Sequence, residues 1–427
     1  MEATKPSLAD RFLGGRLWRD ADFVKLWLGQ FVSLAGTQVS QLALPTVAIL
    51  LLHATAFQVG LLGALEFLAF PVLGLIAGVY ADRLRRLRIM IVCDAVRLLL
   101  LASVPLAWVL GVLRIEQLYA VALLMGICTV FFDVSYQSYL PALVNRRDLV
   151  EGNSKLEVTR SLAQVSGPAL AGFLIQLIGA AQAVWVDAAS YAVSVVSLLA
   201  IRKAEPKPQP GRMDGRQGFW HELWEGVQVV FGNPTLWKIA GCTATSNLGS
   251  NMTFAIFLIF AYRLLHLSPA LIGVVFAIGS VGGLLGAFTA TPVTRRVGLG
   301  MTLFLTITLG GAFNFLVPLA QYGPAAVLMA VAVFAVSYSS PVYNIGQVSL
   351  RQAITPDRVQ GRMNATMRTI VWGTIPIGAF LGGVLGSTIG IVPTLYIGSA
   401  FATLAGLWIL AGPIRLKTQP EAGTSST

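Results

Sequence analysis

Twelve apolar stretches run through this chain, each long enough to cross a hydrocarbon layer as a helix, and the loops between them carry positive charge almost entirely at every second turn. Crossing takes about 20 helical residues. The stretches lie at roughly 24–52, 58–81, 89–111, 117–144, 157–178, 181–201, 236–262, 269–290, 300–321, 324–346, 364–388 and 391–412. The cationic clusters are Lys5 to Lys25, Arg83 to Arg88, Arg146 to Arg160, Arg202 to Lys238, Arg295–Arg296, Arg351 to Arg368 and Arg415–Lys417. Of 30 Lys and Arg residues, only Arg114 and Arg263 stand at the intervening turns, and Arg97 alone lies inside a span away from these clusters. Positive loops stay cytoplasmic. The expected product is an all-α polytopic membrane protein with twelve transmembrane helices and both termini inside.

With 56% apolar and 11% charged residues and 43 Gly, the chain is not a water-soluble globular protein. Its net charge of +11 is distributed as inward-facing loops, so it is read as topology plus attraction to anionic lipid and not as nucleic-acid binding. No cleavable signal is expected ahead of the first span. Cys93, Cys128 and Cys242 read as lone residues, and His53, His221 and His266 as scattered, which predicts neither disulfides nor a metal site.

The polar stretch from Arg202 to Gly218, with Pro206, Pro208 and Pro210, divides the spans six and six. The expected organisation is a cytoplasmic arm (1–22), a six-helix half (23–201), a linker (202–235), a second six-helix half (236–412) and a cytoplasmic tail (413–427). Within the linker, Phe219, Trp220, Leu223, Trp224, Val227 and Val230 share one helical face, as an interfacial amphipathic helix requires. The halves echo each other. Asp148, Val150 and Gly152 recur as Asp357, Val359 and Gly361 after an even-numbered span, and Pro168 and Pro376 follow at similar offsets. Parallel six-span repeats are a transporter architecture.

Polar side chains in the spans fall in stripes: Gln30, Ser33, Thr37 and Gln41 in span one; Thr129, Asp133, Tyr136 and Gln137 in span four; Thr243, Asn247, Ser250 and Asn251 in span seven; Ser337, Ser340, Asn344 and Gln347 in span ten. Lipid cannot satisfy such faces, so each must meet a cavity or another helix. Small residues at four-residue spacing (Gly282 and Gly286; Gly378, Gly382 and Gly386; Ala163, Gly167 and Ala171) predict close helix packing. The Gly279 to Gly286 run follows no strand, and no phosphate-binding GxxxxGK[ST] occurs.

These features together resemble the major facilitator superfamily over essentially the whole chain. Gly78, Ala81, Asp82, Arg83 and Arg86 are similar to its first signature loop, with Arg85 in place of the second glycine. Ser166, Gly167, Pro168 and Gly172 look like the Gly-Pro motif of its antiporters, whereas the arginine signature of the fourth span is missing. Phe132 to Pro141, Glu151 to Asn153, and Arg351 to Arg362 resemble the macrolide-efflux and enterobactin-exporter-like branch. The resemblance implies that spans one, four, seven and ten line a central cavity. Gln30, Thr37, Gln41, Phe132, Tyr136, Gln137, Asn247, Asn251, Phe254, Tyr338 and Asn344 are then the substrate-cavity candidates. It also implies that Gly78, Asp82, Arg83 and Arg86, with Asp94 and Arg97 just above them, gate the cytoplasmic side. Gly167–Pro168 should kink helix five, because proline removes a backbone hydrogen bond, and either flexing there during alternating access or a bent, rigid helix fits this.

A charge at mid-membrane costs roughly 2.5–3.5 kcal/mol on insertion scales, so each needs a reason. The spans contain Glu66, Asp94, Asp133, Asp187 and Arg97, and the second half offers no membrane carboxylate. Glu66 lies in an apolar run without a cation, an environment that favours its neutral form and suits a proton carrier. Asp133, on the wet face of span four, is the other proton-coupling candidate, and Asp187 is expected to be structural. The expected activity is export of amphipathic, drug- or macrolide-like molecules by proton antiport with alternating access. The alternatives are a siderophore or secondary-metabolite exporter, or an uptake symporter. No enzyme is expected, since clustered His or paired carboxylates are lacking. The expected protein is a monomer of the bacterial cytoplasmic membrane that uses the proton gradient, without cofactor, metal or nucleic acid.

Overall fold

Backbone polar groups in a hydrocarbon layer must be satisfied within their own segment, and each apolar stretch accordingly folds as helix. The computed structural model describes residues 15–203, 205 and 216–411. Among them are 12 helices long and apolar enough to cross a membrane, and no strand. Before the linker lie α1 (Ala21–Thr46), α2 (Ala56–Arg83), α3 (Arg86–Val109), α4 (Ile115–Leu143), α5 (Leu149–Ile178) and α6 (Ala180–Leu199). The linker helix is α7 (Arg216–Gly232). After it come α8 (Pro234–Ile259), α9 (Pro269–Val297), α10 (Leu299–Phe313), α11 (Leu316–Leu319), α12 (Ala325–Ile354), α13 (Asp357–Thr388), α14 (Ile391–Leu404) and α15 (Leu407–Leu410). The ninth span joins α10 to α11, and the twelfth joins α14 to α15.

Packing sorts the chain into two units. One holds the described residues of Met1–Val47 and Val72–Gly211, the other those of Ala48–Pro71 and Arg212–Thr427. Helix α2 therefore belongs to the first unit by its C-terminal part and to the second by its N-terminal part.

In the first unit, Gly29 and Gly36 of α1 lie against Ser194, Ser197 and Ser190 of α6, so close that a methyl group at Gly36 would come within 2.2 Å of the Ser190 hydroxyl. In the second, Gly282 and Gly286 of α9 lie on the carbonyl oxygens of Phe334 and Tyr338 in α12. Gly378 and Gly382 of α13 meet those of Leu248 and Met252 in α8, and Gly60 of α2 meets the backbone of Gly383 in α13. Small residues bring the backbones together where apolar side chains gain nothing over lipid.

Spans one and seven end alike. Helix α1 gives way to a π-helical turn at Val47–Leu51, and α8 to one at Phe260–Leu264. His53 and His266 follow with left-handed φ values of 51° and 52°. Ala54 N–H then closes on the Ala48 carbonyl at 2.9 Å, and Leu267 N–H on that of Ala261 at 3.0 Å. These two histidines are not scattered: they occupy equivalent positions in the repeat. Cys93 and Cys128 also meet, by a hydrogen bond across α3 and α4.

The linker helix has a protein partner. Val230 is fully buried with Leu236, Ile239, Met363 and Met367, and Gly226 lies against the Arg362 carbonyl, so α7 packs on α8 and α13. Trp224 and Phe231 are exposed. The side chains of Phe219, Trp220 and Leu223 lie outside the described residues.

Candidate functional site

In the first unit, three of the buried charges, Asp94, Arg97 and Asp187, gather in one place, and Lys155 is buried elsewhere on α5. Asp94 and Arg97, one turn apart on α3, form an ion pair of 3.0 Å, with Asp94 fully buried and Arg97 nearly so. Ser194 of α6 donates to the other Asp94 oxygen at 2.6 Å. The Arg97 guanidinium lies 4.8 Å from the Phe132 ring centroid and 5.3 Å from that of Tyr191. Planar, weakly hydrated guanidinium suits such stacking, and cation–π attraction strengthens once water is excluded. Asp133, one residue along α4 from Phe132, is exposed and interacts electrostatically with Arg97. One cation thus acts on three acids, Asp94, Asp133 and Asp187. Tyr191 shares a hydrogen bond of 3.1 Å with Thr37, bringing α1 into the same cluster.

Asp187 completes it. Fully buried on α6, it accepts from Ser190 at 2.9 Å. Sequence reasoning missed Ser190, Tyr191 and Ser194. Asp187, Ser190, Tyr191 and Ser194 are a polar stripe at helical spacing as clear as those in spans one, four, seven and ten.

The predicted stripes split once the helices are packed. On α1, Gln30 and Ser33 are buried, while Gln41 is exposed. On α4, Phe132 is in the core and Tyr136 stacks on it at 6.1 Å, whereas Asp133 and Gln137 are exposed. In the second unit, Asn251 donates to the Asn247 carbonyl at 2.8 Å and Asn247 to the Val371 carbonyl at 3.2 Å. Thr243 pairs with Tyr343 at 2.8 Å, Tyr338 accepts from Thr289 at 3.0 Å, and the exposed Asn344 accepts from Gln347 at 2.8 Å. Phe254 is exposed and meets Phe276 edge-on at 6.2 Å.

Glu66 belongs to the other unit. It sits in the portion of α2 that belongs to the second unit and has no hydrogen-bond or ion-pair partner among the described residues. Gly63 and Phe70 share its helical face, Gly63 facing Ala379 and Phe70 packing on Trp372 at 4.9 Å. It brings a carboxylate to a unit whose own spans contribute none.

Of the gating candidates, the side chains of Asp82 and Arg83 and the surroundings of Gly78 lie outside the described residues. Arg86 opens α3, and its backbone N–H and that of Leu87 donate to the Glu205 carboxylate at 2.9 and 3.2 Å, an acidic cap on a helix N-terminus. Asp94 and Arg97 are tied to α4 and α6. Gly167, next to Pro168 within α5, packs on the Gln38 side chain of α1. Glu151 accepts from the Leu17 N–H at 3.1 Å and pairs with Lys155, whose ammonium lies 4.2 Å from the Trp18 ring. No cluster of metal-ligating side chains occurs among the described residues.

A profile of the family described as transmembrane secretion effector, within the major facilitator superfamily, matches residues 17–426. The multidrug efflux pump Tap of Mycolicibacterium fortuitum is 27% identical over 368 residues, covering 84% of this chain and 88% of Tap. The enterobactin exporter EntS of Citrobacter koseri is 26% identical over 409 residues, covering 93% and 94%. A crystal structure of a bacterial homologue of the iron transporter ferroportin aligns with a TM-score of 0.74 at 18% identity, over 93% of this chain and 99% of that one. The nucleoside transporter NupG aligns with a TM-score of 0.67 at 14% identity, over 91% and 98%. These two structures share the fold.

Proposed function

The chain belongs to the transmembrane secretion effector family of major facilitator transporters, and from that premise we propose that it exports amphipathic organic molecules by proton antiport, through alternating access. The observation that carries the reading is the sharing of Arg97 by Asp94 and Asp133 beside the fully buried Asp187. Buried charge in a membrane protein is expensive and marks ion and proton paths. A cluster with more acids than cations can hold a proton in one state and release it in another. Asp133 is its exposed member and takes the proton from, or gives it to, the transport path. Glu66, unpaired in the second unit, is a second carrier. The aromatic and amide groups of Tyr136, Gln137, Asn247, Asn251, Phe254 and Asn344 suit large ligands with few fixed charges. The protein works in a bacterial cytoplasmic membrane, with both termini inside.

Export of an anionic siderophore is the second reading, favoured by the likeness to EntS. An anion would want a free cation, and Arg97 is already paired and stacked.

The test is gradient-driven uptake of a macrolide and dye panel into everted vesicles, for the wild type, Asp133→Asn and Glu66→Gln. Antiport predicts uptake that collapses with the gradient and with at least one of the two variants. Uptake that ignores the gradient would sink proton coupling. No uptake of any panel member, with uptake of a catecholate, would promote the siderophore reading.

A further inference from the structure

Exposed Leu, Val and Phe side chains cover the spans, as a lipid-facing surface requires, but one stretch of that surface is built differently. In the second unit, a groove of about 390 Å³ is lined by Phe401, Leu404, Leu407 and Ala411 and by Lys238, Thr245 and Trp408. Its floor is fixed. Trp408 lies on Gly241, where a methyl group would come within 2.9 Å of the indole, and it donates from Nε1 to the Thr245 hydroxyl at 3.1 Å. Trp237 meets it edge-on at 5.1 Å. The Lys238 ammonium stands over both rings, 4.8 Å from the centroid of Trp237 and 5.3 Å from that of Trp408.

Lys238 has three donors, yet no oxygen accepts from it and no carboxylate pairs with it among the described residues. Ring faces attract the charge without using the donors. Lys238 lies one turn into α8, in the cationic cluster from Arg202, at the end of the spans that the positive-inside rule assigns to the cytoplasmic leaflet. That leaflet carries anionic lipid, and Trp rings mark headgroup depth. From Ala411 back to Phe401 the groove follows the helix for about 15 Å, toward the middle of the bilayer.

We propose that this groove is a binding site for one anionic glycerophospholipid of the cytoplasmic leaflet. Its phosphate accepts from the Lys238 ammonium, and one acyl chain lies along Leu407, Leu404 and Phe401. Charge complementarity selects the occupant: a zwitterionic lipid brings its own cation to the place where Lys238 already stands.

The experiment is native mass spectrometry of the full-length protein titrated with phosphatidylglycerol or phosphatidylcholine. The wild type retains one phosphatidylglycerol in preference to phosphatidylcholine. Lys238→Gln lowers that retention about fivefold, the effect of one basic residue near an anionic surface, and Lys238→Arg restores most of it. Leu404→Trp fills the groove with the cation in place and lowers retention as well. Equal retention of the two lipids by the wild type, or undiminished phosphatidylglycerol in either Lys238→Gln or Leu404→Trp, overturns the site. A lipid-free particle of two chains, lost in Leu404→Trp, would assign the groove to a second copy and overturn it too. None of these readouts depends on what the protein exports.

Discussion

Arg263 donates to the backbone carbonyl of Ile49 at 3.1 Å, so the π-helical end of span seven holds that of span one. A π turn shifts the hydrogen-bond register and leaves carbonyls for other donors, which is one reason such turns recur at functional positions. Arg263 is one of two cations at the outer turns. Arg263→Gln removes a charged hydrogen bond worth about 1.5–3 kcal/mol. Amide exchange in 47–52 should then quicken by on the order of tenfold, while Arg263→Lys changes it less. Unchanged exchange in that segment would mean that the π turn holds itself.

The Asp94–Arg97 pair gives a graded series. Removing one member of a buried pair leaves an uncompensated charge and costs about 3–5 kcal/mol. Asp94→Leu should therefore destabilise the detergent-solubilised protein by that order. Ser194→Ala, which removes only the 2.6 Å hydrogen bond, should cost about 1.5–3 kcal/mol. The check is thermal unfolding of both variants. A Ser194→Ala effect as large as that of Asp94→Leu would show that α6 is held chiefly by the hydroxyl.

The spans were legible because their apolar length and alternating loop charge are local properties, written at each segment independently. Which residues of a stripe face a cavity was not, because that depends on the neighbouring helix. Ser33 and Gln41 look alike on the α1 stripe, and packing buries one and exposes the other. Asp94 and Arg97 stand three residues apart, the spacing of a pair on one helix face, but their partners Ser194, Phe132 and Tyr191 lie on other helices. His53 and His266 had a readable signal, since each follows a Leu-Leu pair and an alanine five residues before it. Single histidines were judged by their chemistry, and these act through the backbone.

Glycine at 36 can be weighed against glycine at 74. A methyl group at Gly36 would meet the Ser190 hydroxyl at 2.2 Å and the Asp187 carboxylate at 2.6 Å, whereas at Gly74 it meets nothing within 4 Å. Overpacking costs about 1–3 kcal/mol, while Ala in place of an unhindered helical Gly is favourable by roughly 0.5–1 kcal/mol. Gly36→Ala should lower the unfolding temperature and Gly74→Ala leave it level or raise it. Opposite signs are the outcome to look for. A neutral Gly36→Ala would mean that α1 and α6 separate at little cost.

The linker helix is held to α13 in two ways, and the two should not contribute equally. Glu225 pairs with Arg362 and, at 3.3 Å, with Arg358, but the Arg358 side chain is 80% exposed and that of Arg362 31%. Exposed ion pairs contribute about 0–1 kcal/mol and are screened by salt. Val230 is fully buried among Leu236, Ile239, Met363 and Met367. Shortening it to alanine removes about 1.5 kcal/mol of apolar burial before any cavity is counted. Val230→Ala should therefore expose the linker to limited proteolysis more than Glu225→Gln does, and only the Glu225→Gln effect should shrink as salt rises. If Glu225→Gln releases α7 as fully as Val230→Ala, at high salt as well as low, the clamp and not the burial holds the helix.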